Sequence, residues 1–464
     1  MEPAVRASLQ PVKEEDHPEA GESRLARART SDTVRAAGVA SAQLVANVLA
    51  LVTTIALARA LGTADYGELA RMISVVTILI VPATALQVAA ARDTTLGRLG
   101  RGGQAAASLN HWIVRILMLT AVTFALCALL REQLADLLQV GQPWAAALVF
   151  PAGVFWLALA LQRGVLLGVG GYRNVAASLI AEQAFRLAFG LAAALAGAGV
   201  GVIFFCSVPL ATVPAILLTG WLARRRLGPS DHDPARSRLR ELAMRNPVPM
   251  AGLTLFAVLQ NADVIAVGHF FDADLSGAYA QAAVAAKGII WVAVGLGLYL
   301  LPEAACEAAD GRDARHLLGK TSGLLAVIAV PVLVAFSLLP GPILELVFGD
   351  KATLAETALP WLAAAMTFLA AAYLAIQFLL ALGRRVFLAI LGVAAVAVPV
   401  IVAVRDESLQ SVAAGLLLLD VVLAASLFVL ALIARVDRER AIGADEADAL
   451  AVAEATATAE AAIP

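Results

Sequence analysis

Apolar and polar positions fall in long blocks along this chain, with neither the period of two of a half-buried strand nor the 3.6-residue stripe of a surface helix. Twelve apolar runs, at about 36–58, 72–91, 112–130, 144–161, 175–195, 200–222, 249–270, 280–302, 320–339, 357–381, 386–404 and 411–434, are separated by short polar stretches. Each approaches the roughly 20 residues a helix needs to cross a bilayer core. Lipid admits only structures whose backbone polar groups are satisfied internally, and runs of this length satisfy them as helices. The expected fold is all-α: a polytopic membrane protein with about twelve transmembrane helices. The stretch 340–356 (PGPILELVFGDKATLAE) is expected as a short interfacial helix beside them.

Composition removes the soluble alternative. Hydrophobic residues make up 61% of the 464 positions and charged residues only 15%, and the mean hydropathy is +0.83. Average soluble domains are about 45–50% apolar and about 25% charged. Residues 1–33 are polar and mixed in charge, without the apolar core of a signal peptide, and are expected to be a disordered cytoplasmic tail. Residues 436–464, rich in Ala, Glu and Asp, are expected to be a second solvated cytoplasmic tail.

The net charge of −2 says little, but the placement of the cations says much. With both termini in the cytoplasm, 26 of the 34 Lys and Arg residues fall on the cytoplasmic side and five (Arg59, Arg71, Arg131, Lys351 and Arg405) outside. That asymmetry is the positive-inside pattern. Arg163 belongs to a cytoplasmic loop in this scheme. Arg115 lies near the cytoplasmic end of the third run, where its head can snorkel to the lipid headgroups.

The two halves of the chain resemble each other. LARALGTADYG (57–67) and FFDADLSGAYA (270–280) are both outer turns, and Gly67 and Ala70 align with Gly277 and Ala280 at an offset of 210. LLREQLADLLQVG (129–141) resembles LLPGPILELVFG (338–349), and GYR (171–173) resembles GRR (383–385), at nearly the same offset. Six runs per half send both halves into the membrane in the same direction. The expected repeat axis is therefore a pseudo-two-fold along the membrane normal, with a substrate site between the halves. The expected parts are a six-helix lobe at 34–222, a basic linker at 223–246 and a second six-helix lobe at 247–435.

No hydrolase, kinase or zinc-ligand pattern stands out, HLLGK at 316–320 lacks the glycine spacing of a phosphate-binding loop, and the outer loops are short. An enzyme, a metal or other cofactor, and a nucleic-acid partner are therefore not expected. The three cysteines read as small apolar residues. What remains is polar chemistry inside the bilayer, where an ionisable group is costly and is a functional candidate by default. Glu182 and Arg186 stand at i and i+4 and share a helix face. Asp263 lies in the seventh run and Lys287 in the eighth. Arg186 and Lys287 come at similar depths in the two halves, so they are candidates for binding an anionic headgroup. Glu182 and Asp263 are candidates for ion coupling. Each acid is equally readable as an internal partner, Glu182 for Arg186 and Asp263 for Lys287. Gln43, Asn47 and Asn261 are candidate sugar-facing groups, or else hydrogen bonds between helices. Prolines 82, 151, 209, 214, 331 and 399 interrupt five of the runs.

LARALGTADYGELARMISVV (57–76), LQNADVIAVGHFFDADLSGAYAQA (259–282) and LELVFGDKATLAETALPWLA (344–363) together resemble the polysaccharide-biosynthesis membrane proteins, the Wzx-like flippases of lipid-linked oligosaccharides. The likeness covers most of residues 33–435. Multidrug and toxin exporters and lipid II flippases share that superfamily. The resemblance implies two six-helix lobes, alternating access, and movement of an undecaprenyl-diphosphate-linked glycan to the outer leaflet of the cytoplasmic membrane. Partners would be the lipid-linked saccharide, the bilayer and membrane enzymes of glycan assembly. The competing expectations are a cation-coupled small-molecule efflux antiporter of the same superfamily, and a non-transporting scaffold for a glycan-assembly complex.

Overall fold

A computed structural model describes residues 18–230, 233–234, 247–405 and 407–434. The described residues form helices and turns without a strand. Among the described residues, twelve helices are long and apolar enough to cross a membrane. The first six are α1 (Pro18–Leu61), α2 (Thr63–Thr95), α3 (Gly103–Leu129), α4 (Pro143–Gly168), α5 (Tyr172–Leu195) and α6 (Val200–Leu227). The second six are α7 (Pro247–Phe270), α8 (Ala273–Ala309), α9 (Arg315–Leu338), α10 (Leu359–Ala381), α11 (Phe387–Val404) and α12 (Leu409–Ile433). The chain is a multi-pass, all-α membrane protein.

Both halves repeat one order of elements: three long helices, one short helix, three long helices. The short ones are Arg131–Leu138 and Pro340–Phe348, the latter followed by a 3-10 turn at Asp350–Ala355. They come from the two segments that align in sequence, 129–141 and 338–349. The helix pairs repeat as well. α2 packs on α4, α1 on α5 and α3 on α4; their counterparts α8 on α10, α7 on α11 and α9 on α10 do the same. These pairings define two six-helix lobes related by a pseudo-two-fold axis.

Helix limits differ from the apolar runs where polar residues continue a helix. α1 reaches back to Pro18, inside the stretch expected as a tail, although its spanning part begins at Ser41. Residues 1–17, most of the 223–246 linker and the 436–464 tail lie outside the described residues. α2 and α8, repeat counterparts, are the longest spans after α1 is trimmed, at 33 and 37 residues. At about 1.5 Å per residue they run well past a roughly 30 Å core. α6 contains a π-helical turn, Cys206–Leu210, around Pro209. Proline cannot donate to the ladder, and the wider turn absorbs that gap as a local bend.

α2 and α10 are the most enclosed spans, whereas α3 and α9 are peripheral. The lobes meet through α2, which lies against both α7 and α8. Tyr66, Ala70, Val81 and Val88 of α2 join the apolar core of the second lobe. Two-fold symmetry would pair α8 with α1 in the way α2 pairs with α7, but α1 and α8 have no comparable packing. One side of the lobe interface is therefore a packed seam, whereas on the other α1 meets the second lobe mainly at the Pro340–Phe348 helix.

Candidate functional site

Each lobe buries one polar cluster, and the two are built differently. In the first lobe, the shared face of α5 carries Glu182 and Arg186 one turn apart, and Arg186 Nη2 donates to Glu182 Oε1 at 3.0 Å. Opposite them, α4 supplies Arg163, whose Nη2 lies 2.6 Å from Glu182 Oε2. It also supplies Trp156, whose indole Nε1 donates to Glu182 Oε1 at 3.0 Å. Arg163 further donates to the Ser178 hydroxyl and carbonyl, and Ser178 Oγ lies 2.6 Å from Thr219 Oγ1 of α6. All of these side chains are buried. One carboxylate is thus gripped by two guanidiniums and an indole, and the formal charge is +1.

The reading of Arg163 as a cytoplasmic loop residue is corrected here. α4 continues to Gly168, seven residues beyond the apolar run that ends at 161, because Arg163 finds its counter-charge inside the lobe. A buried charge is tolerated when it is paired and hydrogen-bonded.

In the second lobe, Asp263 and Asn261 on α7 face Tyr279 and Lys287 on α8. Tyr279 OH donates to Asp263 Oδ2 at 3.0 Å, and Lys287 Nζ donates to Asn261 Oδ1 at 3.2 Å. Asn261 in turn donates through Nδ2 to the Ala257 carbonyl at 2.8 Å. Asp263 and Lys287 sense each other's charge but form no ion pair, and Asp263 Oδ1 has no hydrogen-bond partner. A further buried acid, Asp420 of α12, interacts electrostatically with Asp263. The ammonium acts on Asp263, and Asp263 in turn on Asp420; with all three groups ionised the formal charge is −1.

The sequence candidates therefore separate into groups. Glu182 and Arg186 meet directly, as do Lys287 and Asn261, and Gln43 Nε2 donates to Asn47 Oδ1 at 3.0 Å within α1. Arg186 and Lys287 sit in different lobes, each with its own polar partner. Sequence reasoning missed Asp420, Arg163, Trp156 and Tyr279. Asp420 had a plain signal, a lone acid within GLLLLDVVLAAS; the others are recognisable only through contacts distant in sequence.

Between the lobes, the two aligned turns touch each other. A Cβ on Gly67 would stand 2.7 Å from Gly277 Cα, and one on Gly277 would overlap the Thr63 carbonyl. The residues that align in the repeat are thus in backbone contact across it, at a spacing only glycine allows. Arg71, expected in a loop, lies in α2 and is buried. Its Nε and Nη2 donate to the Leu138 and Gln139 carbonyls at 3.0 and 2.7 Å, and its Nη1 to Ser276 Oγ of the second lobe at 3.2 Å. Arg59 of α1 reaches the Val347 carbonyl at 2.8 Å and also the Leu346 carbonyl, both in the second lobe.

No protein-family model matches the chain, and no curated protein matches it by sequence. Solved structures do match. One is the inward-facing conformation of a multidrug-resistance MATE-family transporter of the MOP superfamily, at a TM-score of 0.62 and 13% identity over 86% of this chain and 97% of that one. Another is the lipid II flippase MurJ in an inward closed conformation, at 0.63 and 10% identity over 84% and 86%. The eukaryotic MATE transporter AtDTX14 matches at 0.55 and 15% identity over 90% and 98%. At these identities the likeness establishes a shared fold across nearly the whole of each chain.

Proposed function

We propose that this chain is a flippase of the cytoplasmic membrane that carries a polyprenyl-diphosphate-linked saccharide precursor from the inner to the outer leaflet for polysaccharide biosynthesis. Its termini would be cytoplasmic, as the positive-inside pattern requires, so the α1–α2 and α7–α8 turns face outward. The lobes would rock about the α2 seam and open the interface to one side at a time, with no covalent chemistry.

The observation that carries this reading is the broken symmetry of the lobe interface. α2 closes one side against α7 and α8, while α1 and α8 lack the matching packing. A substrate with a long lipid tail needs a lateral opening through which the tail stays in the bilayer as the head crosses. A fully sealed pair of lobes would suit a small water-soluble cargo or a scaffold. Along this side α1 carries Asn47, hydrogen-bonded to Gln43, as groups suited to sugar hydroxyls. Lys287 is the better placed of the two candidate phosphate ligands, because its hydrogen-bond partner is the neutral amide of Asn261. Arg186 already holds a carboxylate, and it would serve chiefly to fix Glu182. Asp263 would take up the coupling cation or proton, since the second lobe holds one more buried acid than base.

The small-molecule antiporter reading draws on that same acid surplus and on the multidrug transporters among the structural neighbours. Reconstitution into liposomes separates the two. A fluorescent polyprenyl-diphosphate saccharide should become accessible to an external glycan-cleaving enzyme faster in protein-containing vesicles than in empty ones, and Lys287→Gln should slow it at least tenfold. Proton-driven uptake of cationic dyes, without movement of the lipid-linked sugar, would replace the flippase by the antiporter.

A further inference from the structure

Arg59 and Arg71 have no role in either cluster, yet both stand at the outer end of the lobe interface, and both do the same thing. Each inserts its guanidinium into the C-terminal carbonyls of a short helix. Arg71 caps Arg131–Leu138 through the Leu138 and Gln139 carbonyls, and Arg59 caps Pro340–Phe348 through the Leu346 and Val347 carbonyls. Those helices are repeat counterparts. The last carbonyls of a helix lack partners within it and carry the negative end of its dipole, so a cation there is favoured twice. The arginines are not repeat counterparts: both belong to the first lobe, and at an offset of 210 the second lobe has His269 and Gln281.

This placement gives the two residues different duties. Arg71 is held by its own lobe, which leaves Nη1 aimed across the interface at Ser276. Its side chain passes α7 at Gly268, where any Cβ would overlap Arg71 Cδ. Arg59 makes both of its carbonyl bonds across the interface. When the lobes separate at this face, Arg59 loses two charge-assisted hydrogen bonds and Arg71 one. Between them, Gly67 and Gly277 set how closely the turns approach.

We propose that Arg59 and Arg71 form a polar latch that holds the two lobes closed at the outer face, with Arg59 as its stronger arm and the Gly67–Gly277 contact as its seat. The latch rests on the reading that the lobes separate at this face during transport, and it is indifferent to the cargo. Because guanidinium stays protonated at any physiological pH, it releases when substrate or a coupling ion acts elsewhere, and not by losing its own charge. The backbone acceptors make it tolerant of side-chain identity on the 340–348 helix.

The test is pulsed spin-label distance measurement on the full chain in lipid nanodiscs, with Cys127, Cys206 and Cys306 replaced by Ser. Labels go on Glu132→Cys and Leu354→Cys, exposed positions on the outer face of either lobe. The unlatched-to-latched ratio should rise about tenfold in Arg59→Gln, the value expected for losing a hydrogen bond to a charged group. It should rise less in Ser276→Ala, which leaves Arg71 folded against its own lobe. Gly277→Ala should abolish the short distance. Arg59 is exposed, so its replacement does not threaten folding. If Gly277→Ala lengthens the distance while Arg59→Gln leaves it unchanged, the lobes part here but the latch is wrong. If no variant changes the distance, the lobes do not separate at this face, and the transport reading falls with the latch.

Discussion

The two lobes repeat one packing plan but balance their buried charges differently, and on the proposed function that difference would separate scaffold from machinery. In the first lobe's cluster every charged group has an ionic partner: Glu182 lies between Arg163 and Arg186, with Trp156 completing its shell. In the second, Asp263 lies in the field of Lys287, which itself donates to Asn261, and Asp420 adds a second carboxyl that acts on Asp263. A closed set of ion pairs resists change, since moving any member strands another. An acid surplus does the reverse, because a proton or cation must complete it. The clusters also occupy different places in the repeat, α4 and α5 in the first lobe and α7 and α8 in the second, so on the proposed function one would be a strut and the other an exchangeable site.

The largest test of that contrast is to remove one acid from each lobe. Glu182→Gln leaves Arg163 and Arg186 buried without their counter-ion, and breaking a buried pair costs about 3–5 kcal/mol. Its melting temperature in detergent should fall steeply, with loss of folded protein in the membrane. Asp263→Asn removes a surplus charge and keeps a Tyr279 partner, so its melting temperature should stay near that of the parent. Equal losses in the two variants would erase the distinction between strut and site.

Transport should show the opposite order. Asp263→Asn is expected to lower flipping or uptake at least tenfold at normal abundance and to remove its response to an imposed cation gradient. An unaltered gradient response would move coupling out of the second lobe. Asp420→Asn, one helix further away, should weaken the response by roughly a factor of three, as expected for coupling of under 1 kcal/mol. If Asp420→Asn were instead the more damaging of the pair, Asp420 would be the coupling residue and Asp263 its neighbour.

What the sequence disclosed, and what it withheld, follows the same physical line. Twelve spans, the short 340–348 helix and the duplication were legible because each rests on local pattern: apolar runs, a turn, an aligned segment. Glu182 with Arg186 was legible because one helical turn separates the pair, whereas Gln43 and Asn47, expected to bond between helices or to face sugar, bond to each other within α1. Arg163 was not. A hydropathy run ends where charge begins, whereas a helix ends where its backbone bonds do, and nothing local tells that a residue two positions past the run finds its acid 19 residues on. Arg71 was displaced to a loop for the same reason. Lys287 and Asp263 were read as candidate partners from proximity in depth alone, and the side chains chose Asn261 and Tyr279. The turn at 57–67 also held more than its pattern revealed: that Gly67 would touch its own repeat counterpart needed the folded chain.

The smallest effects probe how rigid the strut is. Ser178 receives Arg163 and meets Thr219, joining α4, α5 and α6 by hydroxyls and one guanidinium. Ser178→Ala removes an acceptor but leaves the Ser178 carbonyl and Glu182 to hold Arg163, so the expected loss is about 1 kcal/mol. Gln43→Ala removes a bond between neighbours on one helix. Polar bonds inside membranes average about 0.6 kcal/mol, and a bond within a single helix should fall at or below that. A shift in melting temperature for Ser178→Ala that clearly exceeds the one for Gln43→Ala would place the stiffness of the first lobe around its arginine. Equal shifts would mean that packing, with its polar core as a bystander, holds that lobe together.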